Sequence, residues 1–157
     1  MSTAKKQALP ADVKVILIVL VGAALVMFLN ETILSVALPS IMADFSIPAT
    51  TAQWLTTGFM LTMAVVIPTT GWILQRFTTK QVFLAAVTSF LVGTIVAAWA
   101  PTFTVLLVGR IVQATGTALI MPLLMTVAMT VVPANRRGSI MGVISIVMSA
   151  APALGPT

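Results

Sequence analysis

Five long apolar runs, separated by short polar stretches, constrain this chain more than any other feature. They cover about 15–38, 52–72, 82–100, 104–132 and 139–157. Most approach or exceed the ~20 residues that a helix needs to cross a bilayer core. The composition agrees: 59% of the residues are hydrophobic and 7% are charged, whereas soluble domains carry roughly 25% charged residues. So few charges cannot cover a water-facing surface. The fold class is an all-α polytopic membrane protein of about five transmembrane helices.

Charge placement sets the expected topology. Lys and Arg total 8 against 3 Asp and Glu, a net charge of +5. With the N-terminus inside, Lys5, Lys6, Lys14, Arg76, Lys80, Arg136 and Arg137 all face the cytoplasm, and no Lys or Arg faces out. That asymmetry is the positive-inside pattern. Residues 1–14 read as a cytoplasmic tail, and the run after Lys14 exceeds a signal-peptide core of about 7–15 residues, so it is a retained first helix. Trp54 and Trp72 lie 18 residues apart, about 27 Å along a helix, which fits an aromatic belt at both interfaces. Pro39 and Pro101 are expected to end spans one and three, Pro68 to kink span two, and Pro122 to interrupt span four.

Several functions are excluded by what the chain lacks. It has no Cys and no His, which removes disulfides, Cys/His metal sites and every Ser-His or Cys-His catalytic arrangement. No enzyme activity, metal or cofactor is expected. There is no Tyr and no aromatic stacking platform beside the basic residues, so nucleic acid is not an expected partner.

The stretch FLNETILSVALP, Phe28–Pro39, places Asn30, Glu31, Thr32 and Ser35 inside an apolar run. A carboxylate there costs about 3 kcal/mol or more, so it belongs in a protein interior or a water-filled path. Glu31 lies ~10 Å from the outer end of span one, and Arg110 lies ~9 Å from the outer end of span four, which runs the opposite way. The two charges share a depth and can pair if the helices are neighbours. A static pair that only fixes packing would add little stability; the functional reading is a pair that opens when Glu31 takes up a proton. Arg110, Gln113, Thr117 and Met121 share a face of span four, as Glu31 and Ser35 do on span one. These two polar faces predict a cavity between spans one and four. Met121, Met125 and Met129 form a stripe best explained by packing. Gly138, Gly142, Ser145 and Ser149 repeat at the small-residue spacing of closely packed helices.

These motifs resemble the major facilitator superfamily, in particular its fourteen-helix branch of drug:proton antiporters. FLNETILSVALPSI is similar to the first-helix motif of that branch, with Asn30 at the customary Asp position and the acid at Glu31. GWILQRFTTKQ is similar to the loop between helices two and three; Gly71, Arg76 and Lys80 match, while Gln75 and Thr78 replace an Asp and a Gly. LLVGRIVQATGTALIMP is similar to the fourth-helix motif through Arg110, Gln113 and Gly116. APALGPT resembles the start of the fifth-helix antiporter motif, with Gly155 and Pro156 as bend residues.

The resemblance implies two six-helix bundles, plus two extra helices, around a central cavity, with inverted repeats of three helices inside each bundle. It implies a multi-pass transporter of the plasma membrane that exports drugs or other small amphiphiles in exchange for protons. The proton gradient would be its energy source, without a cofactor. Glu31 would carry the proton, with Arg110, Gln113 and Asn30 around it, and Gly71, Arg76 and Lys80 would gate the cytoplasmic side. On this reading the chain is an N-terminal fragment, and the remaining helices of the parent transporter are its partners. The alternatives are a non-drug metabolite as cargo, or a helix module that transports nothing and assembles with other helices.

Overall fold

In the computed structural model, which describes residues 10–154, the apolar runs form helices and no strand occurs among the described residues. Helix α1 spans Ala11–Asp44, α2 is the single turn Ala49–Ala52, and α3 is Trp54–Arg76. Helix α4 spans Thr79–Ala98, α5 Phe103–Val131 and α6 Ala134–Leu154. Among the described residues, four units are long and apolar enough to cross a membrane: α1, α2 with α3, α4 and α5. The fifth expected span is α6, whose 21 residues begin with a polar turn holding Asn135, Arg136 and Arg137.

Helix boundaries depart from the sequence expectation in a consistent direction, because polar residues at the edges of the apolar runs are helical. Residues 11–14 belong to α1 and not to a tail; Asp12 in the first turn complements the helix dipole. Pro39 does not end α1, which runs five residues further. Both Pro39 and Ser35, whose carbonyl loses its usual partner, lie on the exposed side. The helix ends instead at a left-handed turn: Ser46 takes φ 50°, and the Ile47 N–H donates to the Met42 carbonyl at 3.1 Å.

Pro122 likewise does not interrupt α5, and Pro68 lies inside α3. Neighbouring helices hold such segments in place where the local hydrogen bond is missing. On either side of Pro122, Leu119, Ile120, Leu123 and Leu124 are all buried. The two basic loops also shrink. Only Phe77 and Thr78 separate α3 from α4, and Thr78 forms a capping box with Gln81. Only Val132 and Pro133 separate α5 from α6, where the Arg137 Nε–H donates to the Val132 carbonyl at 3.0 Å.

Helix α5 is the centre of the bundle. Fourteen of its 29 residues are buried, against four of 34 in α1. Its inner core, Leu119 to Ala128, packs with Leu17, Leu20, Ala24 and Met27 of α1, with Val82, Ala86 and Phe90 of α4, and with Ile144 of α6. Three glycines, Gly93 on α4 and Gly109 and Gly116 on α5, set how closely the two helices approach. A Cβ on Gly93 would lie 2.6 Å from the Gln113 nitrogen, and one on Gly116 would collide with the Ala86 carbonyl oxygen. Backbone therefore meets backbone along this seam.

The expected close-packing stripe of α6 does not take that role here. A Cβ on Gly138 or Gly142 would meet nothing within 4 Å, and Ser145 and Ser149 are exposed. The other face of α6, with Ile140, Met141 and Ile144, turns toward the core. The methionine stripe is divided: Met121 packs against the core, whereas Met125 and Met129 are exposed.

Candidate functional site

Three helices converge on Arg110. Its guanidinium is 2% exposed, yet it comes from the middle of an apolar helix, so its charge and donors require partners. Helix α1 supplies two from adjacent positions. The Asn30 Oδ1 accepts from Nη1 at 3.0 Å, and the Glu31 Oε2 accepts from Nη2 in an ion pair. One turn along α5, the Gln113 Oε1 accepts the second Nη1 proton at 2.8 Å. Helix α3 contributes the Phe59 ring, whose face lies 4.4 Å from the guanidinium carbon, close enough for a cation–π attraction. The Nε–H has no partner among the described residues.

Helix α4 completes the cluster through Thr94. The Gln113 Nε2 donates to Thr94 Oγ1 at 2.8 Å, and that hydroxyl donates to the Phe90 carbonyl at 2.8 Å. The Gly93 seam makes this contact possible, since it presses Thr94 and Gln113 together from neighbouring backbones. Thr117, the third member of the polar α5 face, is 1% exposed and bonds back to the Gln113 carbonyl.

Two clefts flank the ion pair. One, of about 250 Å³, has the polar groups of Asn30, Thr94, Arg110 and Gln113 among its lining. The other, of about 180 Å³, is lined by Phe28, Phe59, Met60, Met63 and Thr117 with Glu31 at its wall. Glu31 is 27% exposed, so the carboxylate is paired on one side and reachable on the other. Consecutive residues of α1 thus face different spaces, as a turn of about 100° per residue requires.

The structure therefore gathers Asn30, Glu31, Arg110 and Gln113 into one cluster. The loop group lies elsewhere. Gly71 is exposed on α3, Arg76 ends that helix stacked on Trp72 at 4.8 Å, and Lys80 sits in the first turn of α4. Lys80 is 14 residues before Thr94 on the same helix, about 21 Å away. Gly155 and Pro156 lie outside the described residues. Thr94, Phe28, Phe59, Met60 and Met63 are the members that sequence reasoning missed; each reads as an ordinary residue of an apolar span.

A buried cation from the fourth long helix is thus paired with an acid from the first. Residues 20–157 match the model of the Major Facilitator Superfamily. The chain belongs to this superfamily. The superfamily relatives include the uncharacterized MFS-type transporter YcnB of Bacillus subtilis, 47% identical over 94% of this chain and 31% of the relative. They also include the lincomycin resistance protein LmrB of Bacillus subtilis, 41% identical over 100% of this chain and 33% of the relative. The multidrug resistance protein B homolog of Mycobacterium tuberculosis is 34% identical over 88% of this chain and 26% of the relative. The chain thus spans about a third or less of the length of these superfamily members. Membership makes it a multi-pass membrane protein of a transporter family, and its described helices correspond to part of such a protein.

Proposed function

We propose that the protein is part of a proton-coupled exporter of drugs or other small amphiphiles. The observation that carries this reading is the Glu31–Arg110 pair, buried among apolar helices yet open to a cleft on the carboxylate side. Ionisable groups at such depth are costly and mark ion or substrate paths. Ionised Glu31 holds one edge of the guanidinium. A proton on Glu31 removes the negative charge and releases Arg110 toward another acceptor, which couples proton uptake to a change in how α1 and α5 are held.

The cleft beside Glu31 suits an amphiphilic cargo. Phe28 and Phe59 offer flat apolar faces, and Met60 and Met63 adapt to varied shapes. Relatives named for lincomycin and multidrug resistance support drugs as the cargo class. The remaining helices of the parent transporter would close the path, and the proton gradient would supply the energy without a cofactor. The basic residues favour a cytoplasmic N-terminus in the plasma membrane. In that orientation Gly71, Arg76 and Lys80 stand at the cytoplasmic ends of α3 and α4, where a gate would act.

The test is uptake of labelled lincomycin into inverted vesicles carrying the intact protein, with and without an imposed pH gradient. Gradient-driven uptake is expected, and Glu31→Gln should abolish its pH dependence while preserving the fold. Unchanged, gradient-driven and pH-dependent uptake by Glu31→Gln would refute the role of Glu31.

A further inference from the structure

Gln113 can meet Arg110 only with its carbonyl end, because a guanidinium has donors and no acceptor. The end of a side-chain amide that faces a given neighbour is decided by its whole hydrogen-bond network. Here the other end is settled by Thr94. The Thr94 hydroxyl proton goes to the Phe90 carbonyl at 2.8 Å, and a carbonyl returns no proton. Thr94 therefore presents lone pairs to Gln113, and the Gln113 amide nitrogen donates to them at 2.8 Å. The amide oxygen is left toward Arg110 Nη1, also at 2.8 Å. From Arg110 through Gln113 and Thr94 to the α4 backbone, every proton points the same way.

We propose that Thr94 is a positioning residue: its one-way hydroxyl keeps the Gln113 carbonyl on Arg110, and so keeps the guanidinium spanning Asn30 and Glu31. Val fills the space of Thr without the hydroxyl. In Thr94→Val the buried Gln113 amide, 2% exposed, loses its acceptor. It then either keeps an unpaired N–H or turns and sets donors against donors. The first strands a buried donor and leaves the amide free to turn; the second takes the Gln113 acceptor away from Arg110. Ser keeps the hydroxyl and loses only a methyl group.

The activity arm of the test rests on the transport reading. In vesicles carrying the intact protein, Thr94→Val should lower gradient-driven lincomycin uptake by about tenfold, the effect of one buried unpaired group. Thr94→Ser should restore it to within about twofold. In a Gln113→Leu background, Thr94→Val should cost nothing further, because its route of action is gone. A packing role predicts the reverse order, with Val better than Ser. That order, or full additivity with Gln113→Leu, would overturn the proposal. A second arm needs no transport: the side-chain amide signals of ¹⁵N-glutamine-labelled protein in lipid nanodiscs, assigned to Gln113 by its loss in Gln113→Leu. The Gln113 amide protons should be shifted and slow to exchange in the wild type and in Thr94→Ser, and should lose both properties in Thr94→Val. An unchanged signal in Thr94→Val would overturn the role of Thr94. The expected signals in a wild-type protein that moves no lincomycin would count against the transport reading alone.

Discussion

Replacing Gly93 by Ala tests whether the α4–α5 seam holds both the bundle and the polar cluster. The added Cβ would lie 2.6 Å from two backbone atoms, the Gln113 nitrogen and the Gly109 oxygen, and 2.7 Å from the Gln113 Cγ. Ordinary contact begins at 3.4 Å, so the helices must part locally by about 0.8 Å. Backbone cannot swing aside as a flexible side chain would. Overpacking of this kind costs about 1–3 kcal/mol, offset by up to ~1 kcal/mol from the better helix propensity of Ala. The net expectation is a loss of about 1–2 kcal/mol, read by denaturation in mixed micelles. The same displacement stretches the Gln113–Thr94 bond from 2.8 Å toward about 3.6 Å, past hydrogen-bonding range. Gly22→Ala is the internal control, since a Cβ there meets nothing within 4 Å. It should be neutral or stabilising by up to ~1 kcal/mol. A Gly93→Ala protein as stable as Gly22→Ala would refute the close-approach reasoning.

Further expectations follow from the cluster and the caps. Arg110→Lys keeps the charge but replaces a planar fork with a point donor that cannot span Asn30, Glu31 and Gln113 together; loss of one or two such bonds should cost about 1.5–3 kcal/mol each, measured in the same micelles, and uptake should fall with it. Thr78→Ala removes the side-chain half of the capping box at the start of α4 and leaves the residue 78 N–H on the Gln81 side chain; it should lower stability by about 1 kcal/mol, with early loss of amide protection confined to the first turn of that helix.

How much of this was legible beforehand differs from residue to residue. The meeting of Glu31 and Arg110 followed from depth, because oppositely directed helices bring charges near their outer ends to one level. Gln113 followed from its i+3 spacing to Arg110. Thr94 did not follow. In sequence it resembles Thr88 on the same helix, which also bonds back to a carbonyl one turn earlier, at 2.6 Å, and faces outward. Only the neighbour across the Gly93 seam separates the two, and a neighbour from another helix leaves no periodic trace. The small-residue spacing of α6 was visible, but the face it would present was not. The close approach occurs instead along α4 and α5, where large residues such as Phe90 alternate with Gly93 and Ala97 and blur the pattern. Prolines misled in a single direction. Pro39 and Pro122 lie within helices because tertiary packing, or an exposed carbonyl, relieves the missing bond.

The two-pronged shape of the Arg110 side chain has a consequence for how such a protein can change over generations. Its Nη1 reaches position 30 and its Nη2 reaches position 31, so an acid can be traded between these neighbours without moving the cation. A lysine would have to swing about 100° around the first helix to follow the same trade. Descendants carrying Asn30→Asp with Glu31→Gln would keep their charge balance. They would present the acid to the polar cleft and leave the aromatic one neutral. Two single-base changes in adjacent codons would then redirect which chamber attracts a cation, with the rest of the bundle untouched.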